Sequence, residues 1–469
     1  MNKNILRIRP HIFTFYKILS KMFVIIILPF LQQIFFYPES IWQKLNYTVF
    51  NILTIVFLFV VMWFEYKYIS YTQTPQMIIF EKGLFRNSKI YLPNGEVTAL
   101  SITRSFMLWL FNGCRVYSSS SACCKTRRVE ILTYNKSAKK ITDFSTDKSS
   151  RKIIYKSHFF HPLLMSLIQS DVLTGILAVS IIIQKIGDII DESIANSVEQ
   201  QIINFPQILI SDLTPALAHI AGFVFAGYIF GIIKQLFTNL NFTTLYNHKF
   251  IFVYKGFLKK SILCINRNNV NGILIKQNLL MCIVRLNTLS LLYTGIKEDK
   301  NSGMYIPLST DREIKRYLPP VIDNEKLDKK IVPPKNSIKS YILLPVIYLS
   351  VIIALCILTY NNFEVSIMSR IVALVLIPFG VLWLWFRIIS SEHCGIFYGN
   401  KNIEIKYYKH LSFMTALVKK DTISKYVISQ NPFQRFFGKC HLTLYICDKK
   451  KIKIKVKHLI YKDAVNFVI

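Results

Sequence analysis

The chain lacks every short motif that marks the common catalytic folds. It has no GxxxxGK[ST] phosphate loop, no HExxH, no GxSxG elbow and no dinucleotide-binding glycine fingerprint. Histidines such as His158, His161, His441 and His458 have no matching carboxylate cluster that would make an acid–base pair. The expectation is a protein that is not an enzyme and needs no cofactor. Its nine cysteines form no evenly spaced framework, which argues against a disulfide scaffold. Cys123-Cys124 lacks the second Cys or His pair of a zinc site, so no metal is expected either. Acidic residues are scarce: 26 Asp and Glu stand against 58 Lys and Arg, a net charge of +32. No small-residue cleavage site follows the first apolar run, which reads as a retained anchor and not as a signal peptide.

Apolar sequence is abundant, with 52% hydrophobic and 14% aromatic residues. A soluble domain this hydrophobic is rarely also this basic, so the two properties belong to different segments. Apolar runs near Lys21 to Phe36, Val49 to Phe64, Pro162 to Ile186, Thr214 to Ile233, Tyr341 to Thr359 and Ile367 to Ile389 approach or exceed the roughly 20 residues a helix needs to cross a bilayer. They predict an integral membrane protein with six transmembrane helices in three hairpins. The connection inside the second hairpin carries Asp188, Asp191, Glu192 and Glu199 without Lys or Arg, whereas the N-terminal segment has Lys3, Arg7, Arg9, Lys17 and Lys21. The positive-inside rule then puts both termini, and the three basic blocks between and after the hairpins, in the cytoplasm.

Those blocks repeat. Laid over one another at Gly83, Gly256 and Lys409, they carry Val97, Val270 and Ile423 fourteen residues on. Ser105, Asn278 and Asn431 follow at twenty-two, each opening a bulky apolar run. The anchors lie 173 and 153 residues apart, so each unit is a whole domain with its own hairpin. Short runs such as Gln76 to Glu81, Lys249 to Lys255 and Asn402 to Tyr408 predict strands of an antiparallel sandwich or barrel, with helices only at the end. Thr310 and Glu313 stand at capping-box spacing before such a helix, Ser145-Thr146-Asp147 is its counterpart in the first block, and Lys457 to Ile469 holds a shorter one. Boundaries follow: hairpins at 17–65, 161–235 and 338–390, and β-sandwiches at 66–160, 236–320 and 391–469.

The turn at Gly83-Leu84 and Gly256-Phe257, Leu92-Pro93 with Val97, and the signature Asn431-Pro432-Phe433-Gln434-Arg435-Phe436-Phe437-Gly438 resemble the second type of bacterial pleckstrin-homology (PH) like domain. That domain follows a two-helix hairpin in membrane proteins such as the YdbT-like proteins. His161-Pro162, and Arg9-Pro10-His11 ahead of the first hairpin, resemble the family's pre-hairpin segment. The resemblance implies three tandem PH-like domains in the bacterial cytoplasmic membrane, with a role in envelope homeostasis or defence. The sequence departs from the pattern at Arg285, where a Gly is expected, and at Lys409-His410 in place of Gly-Leu.

Lys451, Lys453, Lys455 and Lys457 alternate with Ile452, Ile454 and Val456, so a strand here would put four ammonium groups on one outer face. Near an anionic leaflet each would contribute roughly 1 kcal/mol; the competing reading is an edge strand guarded by Lys. Lys82, Arg86 and Lys89 in the first strand-turn-strand are a second candidate for anionic lipid or an acidic partner. Asp171 falls near mid-bilayer, where a charge is costly. With His219 on the returning helix it supports a rival reading, a small-solute or lipid transporter. Gly222, Gly227 and Gly231 favour close helix packing, within one bundle or in a homo-oligomer. The expected partners are membrane lipids and a cytoplasmic or membrane protein, with no nucleic acid because no reading helix or RNA motif is present.

Overall fold

The computed structural model describes residues 6–468 apart from 21–40, 75, 84–87, 94–96, 121–127, 146–150, 170–175, 177, 185–191, 210–214, 248, 294–302, 320, 323–324, 326, 360–362, 410 and 447–451. Its strands fall into three runs of seven, each closed by a helix. The first run is β1 (Leu6–Ile8), β2 (Ser70–Gln73), β3 (Met77–Lys82), β4 (Ser88–Pro93), β5 (Val97–Arg104), β6 (Gly113–Ser120) and β7 (Arg128–Tyr134), then the helix Asn135–Ser145. The second is β8 (Lys152–Lys156), β9 (Thr243–Tyr246), β10 (Phe250–Lys255), β11 (Lys260–Asn266), β12 (Val270–Asn278), β13 (Leu286–Tyr293) and β14 (Met304–Thr310), then Asp311–Tyr317. The third is β15 (Lys329–Ile331), β16 (Gly395–Tyr398), β17 (Asn402–Lys409), β18 (Ser412–Lys419), β19 (Ile423–Ser429), β20 (Lys439–Ile446) and β21 (Ile452–Ile460), then Tyr461–Val468.

The strand expectations hold to within a residue or two at β3, β10 and β17. In each run the first strand comes before the apolar hairpin and pairs, antiparallel, with the strand that follows it: β1 with β2, β8 with β9, β15 with β16. Strands of three to five residues carry too little alternation for these clamps to show in the sequence. The Thr310 capping box forms, with Thr310 N–H donating to Glu313 Oε2 at 2.9 Å and Glu313 N–H to Thr310 Oγ1 at 3.4 Å. Of its supposed counterpart, Ser145 ends the first helix instead of preceding one, and Thr146 and Asp147 lie outside the described residues. Gly83 and Gly256 take φ of 106° and 95°, and a Cβ at Gly256 would collide with the Lys259 carbonyl. The third run, lacking that glycine, turns through Leu411 at φ 52°.

Sheets extend from one run into the next. A four-stranded sheet runs β1-β2-β3-β4; a seven-stranded sheet runs β7-β6-β5-β11-β10-β9-β8; another runs β14-β13-β12-β18-β17-β16-β15; and β19-β20-β21 form a three-stranded sheet. The chain divides into two compact units. One comprises Met1–Lys156, Phe237–Asn269 and Gly295–Glu298, the other Ser157–Leu236, Val270–Thr294 and Asp299–Ile469. In the first unit Tyr71, Ile78 and Leu92 face Cys114, Val116 and Val129 across a sandwich, with Ile141 of the closing helix filling the end. In the second, Ile403, Ile405 and Val418 face Leu442, Leu444, Ile454 and Val456, closed by Ala464.

Among the described residues three helices, not six, are long and apolar enough to cross a membrane: Thr48–Lys67, Ala221–Asn239 and Lys335–Leu358. The run Lys21 to Phe36 lies outside the described residues, and Pro162 to Ile186 is described only in part, beginning with the helix Phe160–Gln169. Ile367 to Ile389 lies within the helix Phe363–His393, whose first half is described in backbone only. The expected acidic connection of the second hairpin contains a further helix, Glu192–Leu209. Its Glu, Gln and Asn residues break the apolar run that a span requires.

Candidate interfacial site at three apolar tips

A short helix joins the fifth and sixth strands of every run: Phe106–Leu110, Leu279–Val284 and Pro432–Phe436. The expectation of helices only at the end is corrected here. Ser105, Asn278 and Asn431, the repeat markers of the sequence, are the extended residues that open these helices, with ψ of 163°, 167° and 160°. Asn112, Arg285 and Gly438, all twenty-nine residues past their anchors, close them in the left-handed region at φ 53°, 55° and 61°. Arg285, the departure from the glycine pattern, therefore occupies the helix-terminating position where Gly and Asn are the usual residues.

Side chains at matching offsets do matching things. Leu108, Met281 and Gln434, twenty-five residues past the anchors, turn inward and are buried. Met107, Leu280 and Phe433 at twenty-four, Leu110, Ile283 and Phe436 at twenty-seven, and Phe111, Val284 and Phe437 at twenty-eight are all exposed, Phe433 and Phe436 at 81% and 85%. Spacings of three and four put each trio on one helical face. One exposed Leu means little; an exposed trio at equivalent positions of every run is a recurrent apolar patch.

Each tip lies beside the hairpin segment of its own run. The Phe111 ring is 5.0 Å from Phe13, and the Phe111 carbonyl is 2.9 Å from His11 Nε2. Phe15 in turn packs on Phe59 at 5.6 Å and Trp63 at 6.2 Å. Behind the second tip, Gln169 Nε2 donates to Thr288 Oγ1 at 3.2 Å and approaches Met281 Sδ at 3.7 Å. Behind the third, Lys439 Nζ donates to the Asn336 carbonyl at 3.2 Å, and Tyr341 Oη donates to the Lys457 carbonyl at 2.9 Å. Beneath this tip Gln434 meets His441 Nε2 at 2.8 Å, and His458 N–H donates to His441 Nδ1 at 3.2 Å. Burial, reinforced by nearby Lys455 and Lys457, pulls His441 down to about 3; burial with Lys439 pulls His458 to about 4.

The expected lysine row is partly a row. Ile452 packs against the core, Ile454 and Val456 lie within it, and Lys453 is exposed. Lys455 is half-buried and Lys457 lies 4.8 Å from the Tyr408 ring centre. Burial, then the neighbouring lysines, lowers the Lys455 pKa; burial, then Arg387, lowers that of Lys457. Lys451 is outside the described residues, as are Arg86 and Asp171, and nothing is described of the His219 side chain. Lys82 is half-buried at the end of β3, and Lys89 is ion-paired to Glu81 at 2.9 Å. A Cβ at Gly222 would strike the Ile202 carbonyl, one at Gly227 would strike Ile176, and Gly231 is buried. No group of three or more His, Cys, Asp or Glu suited to a metal occurs among the described residues.

The tips were half-legible: the bulky runs after Ser105, Asn278 and Asn431 were visible as repeat markers. Their meaning needed the fold, which shows that a run this apolar sits in a turn and not in a core strand. No curated protein and no solved structure matches the chain. Residues 23–137, which include β2 to β7 and the first tip, match the family model described as Bacterial PH domain. That segment carries a bacterial PH-like domain.

Proposed function

We propose that the chain is a non-enzymatic, multi-pass protein of a bacterial cytoplasmic membrane. It displays three tandem PH-like domains on hairpins of six spans, with both termini cytoplasmic, as binding modules for anionic lipid or a protein partner in envelope homeostasis or defence. The observation that carries this reading is the recurrence of the exposed apolar trio beside the hairpin segment of each run. A side chain there enters the bilayer interface as the adjoining helix enters the hydrocarbon. Full burial of one Phe or Leu contributes about 1.5 to 3 kcal/mol, so a trio is enough to hold a domain flat against the leaflet. Lys453 and Lys455 add attraction for anionic headgroups, and tethering raises the effective concentration of each domain for anything else on that surface.

Full-length chain reconstituted in vesicles containing a phospholipid with a photoactivatable acyl chain tests the reading. Adducts are expected on Met107, Leu280 and Phe433 and their neighbours as well as on the spanning helices. Labelling of the spanning helices with clean tips would overturn it. The transporter reading is separated by Asp171→Asn, which leaves the display function unchanged and abolishes solute movement through that residue.

A further inference from the structure

We propose that two edge strands, β4 of the first run and β19 of the last, pair with each other between two copies of this chain. The inference rests on reading the three runs as tandem copies and goes beyond it by naming what covers their ends. Within the chain, the fifth strand of one run pairs antiparallel with the fourth strand of the next, twice: β5 with β11 and β12 with β18. The register is the same both times. Counted from the anchors Gly83, Gly256 and Lys409, positions 4 to 9 of one run oppose positions 21 to 16 of the run before. Lys260 thus faces Arg104 and Ile265 faces Ala99, as Phe413 faces Gln277 and Val418 faces Gly272. All three fifth strands also carry a register irregularity at the same place, between Val97 and Ala99, Val270 and Gly272, and Ile423 and Lys425.

Two strands of this set end their sheets among the described residues. They are β4, the fourth strand of the first run, and β19, the fifth strand of the last. Both are more exposed than their paired counterparts. β5 buries Ala99 to Thr103, whereas β19 has no buried residue and β4 buries only Leu92. The shared register makes Ser88 face Ser429 of the second copy, Lys89 face Ile428, Ile90 face Val427, Tyr91 face Tyr426 and Leu92 face Lys425. Pro93, which has no N–H to give, falls at the tenth position, one past the last pair formed at Ile265 and Val418. Lys89 is held by Glu81 on its own sheet and stays clear of the seam. The contact joins different edges, so it is head-to-tail, and repetition closes a ring or extends a row along the membrane.

The opposing reading is that Lys89, Pro93 and Lys425 guard these edges against any partner. Two differently tagged full-length chains, co-expressed in their membrane, decide between them, with Tyr91→p-benzoylphenylalanine in one for photocrosslinking. The expected result is a covalent pair of differently tagged chains with the adduct within 423–429, and the reciprocal adduct within 88–93 from a probe at Tyr426. Tyr91→Asp should lower the Tyr426 yield at least tenfold without changing the melting temperature. Adducts only within one chain, between two 88–93 segments, on an unrelated protein, or none at all would overturn the proposal. Acyl-chain labelling of the tips in the same membranes shows whether a failure lies here or in the display reading.

Discussion

His441 and His458 are residues whose chemistry the fold alters. Both are held neutral, with pKa values of about 3 and about 4 against the ordinary 6.5, principally because burial penalises the imidazolium. Unfolded, they take up protons below about pH 6.5; folded, they resist until about pH 4 and below. Their contribution to stability is therefore full above about 6.5 and is lost as pH falls through that window. The melting temperature of the second unit is expected to be lower at pH 5 than at pH 7.5, and His441→Gln should flatten this slope. Leu442→Ala or Ile454→Ala, in the third-run core, should cost about 2 to 5 kcal/mol in denaturant titrations. Phe436→Ala, at an exposed tip, should stay within about 0.5 kcal/mol. The core residues were legible because alternation along β21 separates Ile from Lys. The neutral histidines were not, since nothing local to either one shows that the two meet across β20 and β21.

At the scale of elements, strands and tips behave differently. Phe433→Asp with Phe436→Asp should leave unfolding almost unchanged while reducing acyl-chain labelling of residues 432–437 severalfold, because each aspartate would carry a charge into the interface. Gly272 sits where an added Cβ would collide with the Leu417 carbonyl across the β12–β18 joint. Gly272→Val is therefore expected to destabilise by about 1 to 3 kcal/mol and to loosen β18 first, as increased hydrogen exchange in residues 412–419. The sequence showed β-type runs and their order. Which strands join was hidden, because an internal strand and an edge strand of this composition alternate alike and differ only in what lies beside their backbone.

Across the whole molecule, runs depend on their successors. A chain ended after Leu318 would lose β15 to β21, β18 among them, and leave β12 bare, with Ile273, otherwise fully buried, and Leu274 at an open edge. Such a truncation is expected to aggregate in detergent where the full chain stays dispersed, as size-exclusion profiles would show. The three-part plan was readable from the anchors Gly83, Gly256 and Lys409, since spacing survives in sequence; the shared sheets were not, because pairing between runs leaves no spacing of its own. The clamps at the hairpin roots have a mechanical meaning. In the first run, Ile8 faces Tyr71 at the hairpin end of the pair, and Leu6 faces Gln73 at the far end. Drawing both hairpin legs outward together loads the bond between β2 and β3 in shear, across all four of its residue pairs at once. Spreading the legs sideways instead peels β1 from β2 one pair at a time, beginning at Ile8. This clamp is thus stiff to a lengthwise pull and compliant to splaying of the two segments it joins.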